Sequence, residues 1–283
     1  MDKRTVEESI FKGLMLFSTF IVTGSLVLIL VTIFIKGFPA LNLNMIIQTP
    51  KGGYYLGKEG GILNAILGSM VLGIGATFLA MLVSIPVVFY LNLYRKKNSQ
   101  FAALVRFFLD VLWGIPSIVY GAFGFTVMVL IGMRASLLAG MITVALLIIP
   151  IMARTMDEVL KMIPPELKEA SYAVGATRWE TALKVIFKQA FPGILTAILI
   201  AFGRGISDAA SVLFTASFTD SLPYSLFKPV ATLPLAIFFQ LGTPFPEVQQ
   251  RGYASALLLT LLVLVISIAA RILSKRFTRN IVK

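Results

Sequence analysis

Apolar runs of about twenty residues or more recur along the whole of this 283-residue chain, and no other feature limits its fold so severely. A bilayer core about 30 Å thick is crossed by about 20 apolar helical residues, and a helix satisfies its own N–H and C=O groups where no water can. Six such helices are expected, at about 14–36, 62–93, 106–133, 135–153, 190–218 and 253–274. The predicted fold class is therefore all-α, a polytopic membrane protein. Composition agrees: hydrophobic residues are 58% and charged ones 13%, against about half and a quarter in soluble domains. Gly132-Met133-Arg134-Ala135 leaves only a tight turn between the third and fourth helices. Pro86, Pro116 and Pro150 lie inside apolar runs and are expected to kink helices or free carbonyls. Glycines such as Gly68, Gly73, Gly121, Gly124 and Gly205 let helix backbones approach closely.

The net charge of +12 could suggest nucleic acid, but its distribution argues for membrane topology. One set of segments holds Lys3, Arg4, Lys12, Arg95, Lys96, Lys97, Arg106, Arg154, Lys161, Lys168, Arg178, Lys184, Lys188, Arg271, Lys275, Arg276, Arg279 and Lys283. The opposite set holds only Lys36, Lys51, Lys58, Arg134, Lys228 and Arg251. Short cytoplasmic loops carry the excess of Lys and Arg, so both termini and the segment around Glu169 are expected in the cytoplasm. Segments of about 37–61 and 219–252 then face outward. Within the second, Leu233 to Phe239 is apolar; it either tucks against helix ends or forms a short scoop-like helix facing a partner.

The polar stretch from Pro164 to Glu180 reads as a short helix, a glycine corner and a second helix. Pro165 suits a first helical position, and Glu166 and Glu169 complement the dipole of the first turns. Gly175 can take the left-handed conformation that ends a helix. Thr177 and Glu180 have capping-box spacing, so a new helix starts at once. Such an exposed corner between spans is either a docking element or an ordinary interfacial hairpin.

Several chemistries are excluded or disfavoured. Without cysteine or histidine there is no disulfide, no thiolate ligand and no Ser–His pair. Gly52-Gly-Tyr-Tyr-Leu-Gly57-Lys58-Glu59 nearly spells a phosphate-binding loop, but Glu59 stands where Ser or Thr must hold Mg²⁺. Any ATPase is therefore expected on another chain. The informative charges are the buried ones. Arg204 lies about 13 residues into the fifth helix, roughly 20 Å along its axis, and Asp208 follows one turn later on the same face. They either neutralise each other or line a water-filled path, which with arginine would favour anions. Arg154, where the fourth helix leaves the membrane, either joins that path or snorkels. Asp110, four residues after Arg106, is expected to pair with it locally.

Together these residues resemble the type I ABC importer permeases, specifically the A-type permeases of bacterial phosphate importers. The resemblance spans about Gly60 to Arg271. It rests on Gly60-Gly-Ile-Leu-Asn-Ala-Ile-Leu-Gly-Ser69, Gly114-Ile-Pro116-Ser117-Ile-Val-Tyr-Gly121, Ile149-Pro150-Ile-Met-Ala-Arg154-Thr155 and Leu233-Pro234-Leu-Ala-Ile-Phe238. The "EAA" loop of importer permeases is written here Glu169-Ala170-Ser171, three residues, then Gly175. The resemblance implies an N-terminal segment with a first helix (1–61) that packs across a partner permease. It also implies a five-helix core (62–274) whose coupling loop covers about 158–189, and a cytoplasmic tail (275–283). Glu169, Ala170, Ser171 and Gly175 would couple to the ATPase, and Arg204, Asp208 and Arg154 would serve the substrate path. Implied partners are a second permease, two ATP-binding subunits carrying ATP and Mg²⁺, an extracytoplasmic phosphate-binding protein, and membrane lipid; no cofactor or nucleic acid is implied for this chain. Two departures stand out. The family pattern R-x-x-G-E-T-A-P becomes Arg204-Gly-Ile-Ser-Asp208-Ala-Ala-Ser211, with a shorter acid and no proline, and the proline closing the coupling consensus is also missing, near Lys188. Alternatives left open are a permease for another oxyanion (phosphonate, molybdate or tungstate) and an ATP-independent secondary transporter.

Overall fold

The computed structural model describes residues 3–51, 59–95 and 99–278. The near-phosphate loop at 52–58 and the tail beyond 278 lie outside the described residues. Helix α1 (Lys3–Gly37) is followed by a short α2 (Leu43–Ile47) and a two-residue antiparallel pairing, Pro50–Lys51 with Glu59–Gly60. Next come α3 (Leu63–Phe89), which ends in a π turn at Tyr90–Tyr94, α4 (Gln100–Gly114), α5 (Ser117–Leu130) and α6 (Leu137–Lys161). Helix α7 (Pro165–Ala173) and the brief α8 (Arg178–Glu180) flank the Gly175 corner. A second π segment (Thr181–Ile186) then runs into α9 (Phe187–Ile206), followed by α10 (Leu233–Leu241) and α11 (Pro246–Thr278). Among the described residues, five helices are long and apolar enough to cross a membrane, and six crossings result if α4 and α5 form one broken span.

Two predicted spans are corrected. The third, expected as one helix over 106–133, is two helices bent by 99°. Ile115 adopts an extended conformation, and Pro116, with no N–H to donate, stands immediately before α5. The fifth, expected over 190–218, starts earlier and stops earlier: its helix enters from Arg178 through the π segment and ends at Ile206. Just past that end the Ser207 hydroxyl bonds the Gly203 carbonyl and the Asp208 carboxylate accepts the Ser211 N–H. Side chains that satisfy nearby backbone groups in this way compete with helix continuation.

The core lies where α3, α6 and α9 meet. Leu72 and Ala76 of α3, Val144, Ile148 and Met152 of α6, and Ala197 and Ala201 of α9 are all buried. Since lipid is as apolar as these side chains, close packing rather than hydrophobic expulsion holds such a core together. The outer faces of α1 and α11 remain apolar and exposed, as membrane helices require. Helix α10 is helical and tucked at once: Leu233, Leu235 and Ala236 are buried, and Ser69 Oγ of α3 accepts the Leu233 N–H at 2.7 Å.

Candidate functional site

Three polar constellations stand out against this apolar frame. The first is the corner between α7 and α9. Pro165 opens α7 at N1, and the chain then reverses at Gly175, whose φ of +83° lies in the left-handed region. A side chain there costs about 1–2 kcal/mol. Added atoms would meet nothing within 4 Å, so the requirement for glycine is conformational rather than steric. Thr177 and Glu180 make the full reciprocal capping box. Ser171 is buried, with its Oγ 2.9 Å from Thr181 Oγ1, so a hydroxyl pair ties the two arms of the corner together. Glu169 and Ala170 are exposed, as are Val174, at 83%, and Trp179. An open groove lined by Val174, Gly175, Glu180 and Lys184 runs along the corner. Lys168 reaches back to donate to the Asn92 carbonyl at 3.3 Å, and burial pushes its ammonium below the usual lysine range.

The second constellation is centred on Asp157, fully buried near the end of α6. Arg106 of α4 donates to both its oxygens, at 2.8 and 3.0 Å, Arg154 approaches to 3.0 Å, Lys161 to 2.8 Å, and Asn92 Nδ2 donates at 2.8 Å. The local Arg106–Asp110 pair is not what forms. Arg106 turns to Asp157, and Asp110 pairs with Arg154 instead. The crossing arises because α4 lies against α6, and a buried carboxylate needs several donors to offset its lost hydration. Arg154 does not stand free: Asp110, Asp157 and Glu158 hold it, with 18% of its side chain exposed. Asp157, Asn92 and Thr181 are the residues that sequence reasoning missed. The signal for Asp157 was present: it lies three residues after Arg154 and four before Lys161, spacings that share one helix face.

The third constellation is Arg204 and Asp208. Gly205 lies against Val144 and Ile148, in the N-terminal half of α6, so Arg204 stands beside the body of that helix rather than at its ends. Its side chain is 50% exposed, on the outer face of the last turn of α9. Asp208 is not one helical turn further on, since the helix has ended; it is buried, 3.6 Å from Arg204 and 2.8 Å from the Ser211 N–H. Beyond it the chain runs through the interior in turns rather than as continuous helix, with the Ala216 N–H bonded to the Val212 carbonyl. Such backbone is tolerated at membrane depth only where protein covers it, and here the cover is visible. Gly121 of α5 lies so close to Ala210 and Ser211 that a Cβ would stand 2.8 Å from the Ala210 carbonyl oxygen. The carbonyls of Thr215, Lys228 and Leu226 accept the N–H groups of Ser136, Leu137 and Leu138, supplying partners to the otherwise unpaired first turn of α6. The structure therefore joins Arg204 to Asp208, places Arg154 in a separate network, and sets Glu169, Ala170, Ser171 and Gly175 on the corner.

The family described as "Binding-protein-dependent transport system inner membrane component" matches residues 84–282. The chain is 34% identical over 270 residues to the phosphate transport system permease protein PstA of Haemophilus influenzae, covering 95% of this chain and 94% of that one. It is 39% identical over 214 residues to the PstA permease of Yersinia pestis, covering 76% and 72%. In fold it is similar to an inward-facing MetNI methionine ABC transporter chain, with a TM-score of 0.64 at 21% identity over 77% of this chain and 96% of that one. A chain of a bacterial alginate ABC transporter gives a TM-score of 0.60 at 14% identity over 97% and 99%.

Proposed function

Because this chain belongs to the family of binding-protein-dependent transport system inner membrane components, we propose that it is the membrane-spanning permease subunit of an ATP-driven importer of inorganic phosphate. It is an integral inner-membrane protein and is itself non-catalytic; ATP hydrolysis resides on a separate chain of the transporter complex, which also has a substrate-binding partner. The observation that carries the phosphate reading is the near-complete alignment with phosphate permeases, over 95% of this chain. The half-exposed guanidinium of Arg204, beside the body of α6, suits an anion.

In this reading the core of 62–274 pairs with a second permease, engages two ATP-binding subunits and receives phosphate from an extracytoplasmic binding protein. The basic end, with Arg154, Lys161 and the Gly175 corner, faces the cytoplasm, as do both termini. The exposed corner formed by Glu169, Ala170 and Gly175 docks on the ATPase; Ser171 contributes from inside, through Thr181, by holding the corner's shape. Arg204 lines the path, Asp208 positions the turns that frame it, and Arg154 is held at the basic mouth. ATP and Mg²⁺ belong to the partner chains. Rocking between two states would open the path first outward and then inward.

The test is reconstitution of the assembled transporter in proteoliposomes. Phosphate uptake is expected only with ATP on the corner side and binding protein on the other. Uptake of molybdate or a phosphonate in preference to phosphate would move the assignment to another oxyanion. Gradient-driven uptake without ATP would reject the importer class.

A further inference from the structure

Five side chains from three separate segments form a single row at the basic end of α3. Tyr90 and Tyr94, on the closing π turn, stack with ring centroids 6.0 Å apart. The Arg95 guanidinium lies 5.3 Å from the Tyr90 centroid and 4.7 Å from that of Phe101, at the start of α4. The Arg178 guanidinium, just beyond the Gly175 corner, lies 5.8 Å from the Tyr94 centroid. The order is Phe101, Arg95, Tyr90, Tyr94, Arg178. Both arginines are exposed. Among the described residues neither makes a hydrogen bond or an ion pair, whereas Arg106, Arg154, Lys161 and Lys184 all meet carboxylates.

A guanidinium that rests over an aromatic ring and meets no carboxylate keeps N–H donors available to a ligand. Those donors match the paired oxygens of a phosphate. The tyrosines carry the depth information: Tyr90 and Tyr94 are 43% and 41% exposed, and amphipathic Tyr rings sit at the level of lipid headgroups. The surroundings supply the rest. Phe101, Leu104, Phe108 and Val111 are exposed at helical spacing along α4, an apolar strip starting at the row itself.

We propose that this row is a binding site for an anionic phospholipid, with the headgroup phosphate on Arg95, an acyl chain along the Leu104–Phe108 strip of α4 that begins beside it, and Arg178 adding positive charge at the other end of the row. An acidic protein segment or a free phosphate ion would use the arginines but has no use for the strip. The proposal ties lipid charge to the docking corner, since Arg178 is the first residue after the corner's Thr177 cap.

The test uses the assembled transporter released from micelles containing equal phosphatidylglycerol and phosphatidylcholine, with retained lipid counted by native mass spectrometry. Wild type is expected to retain phosphatidylglycerol preferentially. Arg95→Gln and Arg178→Gln are each expected to lower that preference about fivefold, with assembly yield unchanged. Lys184→Gln, which removes a cation already paired with Glu180, is expected to leave it unaltered. Equal retention of the two lipids by wild type, measured without any variant, overturns the proposal. So does an equal loss in Lys184→Gln, which would mean diffuse charge attraction. Displacement of the lipid by soluble inorganic phosphate would assign the site to the free anion and overturn the lipid reading.

Discussion

The Asp208 carboxylate accepts the backbone N–H of Ser211 at 2.8 Å, closer than its 3.6 Å approach to Arg204. The acid therefore acts first as a cap on the turn that follows the helix and only second as a counter-ion. Asp208→Asn keeps an acceptor in place and is expected to assemble as wild type. Asp208→Ala leaves a buried N–H unpaired and is expected to cost about 1–2 kcal/mol, read as a lower thermal midpoint of the purified complex. Equal midpoints for the two variants would remove the capping role.

Arg204 has one long ion contact and a half-exposed side chain. With the guanidinium half in solvent and the contact long, that attraction is weak, and the buried Asp208 keeps the Ser211 N–H as its nearer partner. Arg204→Gln is thus expected to keep complex yield while abolishing phosphate uptake in proteoliposomes. Adding Asp208→Asn is expected not to restore transport; recovery in the double variant would mean that the two charges serve only each other.

Asp157 is the sole described carboxylate meeting Arg106, and it is shared with Arg154 and Lys161. Removing its charge strands cations around a buried site, a change that typically costs about 3–5 kcal/mol. Asp157→Asn is expected to reduce the amount of folded complex strongly, by size-exclusion profile and thermal midpoint. Wild-type yield would show that water reaches the cluster freely.

At Gly175 the space is open and only the backbone angle is demanding. Asn tolerates that angle far better than a β-branched residue does. Gly175→Asn is expected to retain most uptake, whereas Gly175→Val inserts in the membrane yet uncouples ATP hydrolysis from transport. Normal coupling in the valine variant would reduce the corner to a linker.

Topology is tested with single cysteines in this cysteine-free chain. Position 171 is a poor probe, because Ser171 is buried against Thr181. Val174, 83% exposed, serves instead, with Ser221 on the other side. An impermeant reagent is expected to label 221 and not 174 in intact cells; labelling at 174 would invert the orientation and detach the corner from ATP.

Much of the site was legible from residue chemistry alone. Pro165, Gly175 and the Thr177–Glu180 box act within a few residues of themselves, so their spacing in sequence is their spacing in space. Arg204 announced itself as a charge in an apolar run. The acid network was legible only in its local part, Asp157 with Arg154 and Lys161; that Arg106 joins it depends on α4 lying across α6, a contact 51 residues apart.

The sequence by itself determined that this chain crosses a membrane about six times, which loops carry the positive charge, and where a sharp polar corner interrupts the spans. Those properties follow from local hydrophobicity and from backbone preferences of single residues. Only the tertiary structure decided that the third span breaks at Pro116, that the fifth helix ends at Ile206, that Arg106 meets Asp157 and that Arg154 meets Asp110. Ion pairing depends on which distant groups meet, and Pro116 breaks its span whereas Pro86 and Pro150 stay inside continuous helices, a choice that the prolines alone do not make. The turns after Asp208 survive because Gly121 leaves them room and the first turn of α6 needs their carbonyls.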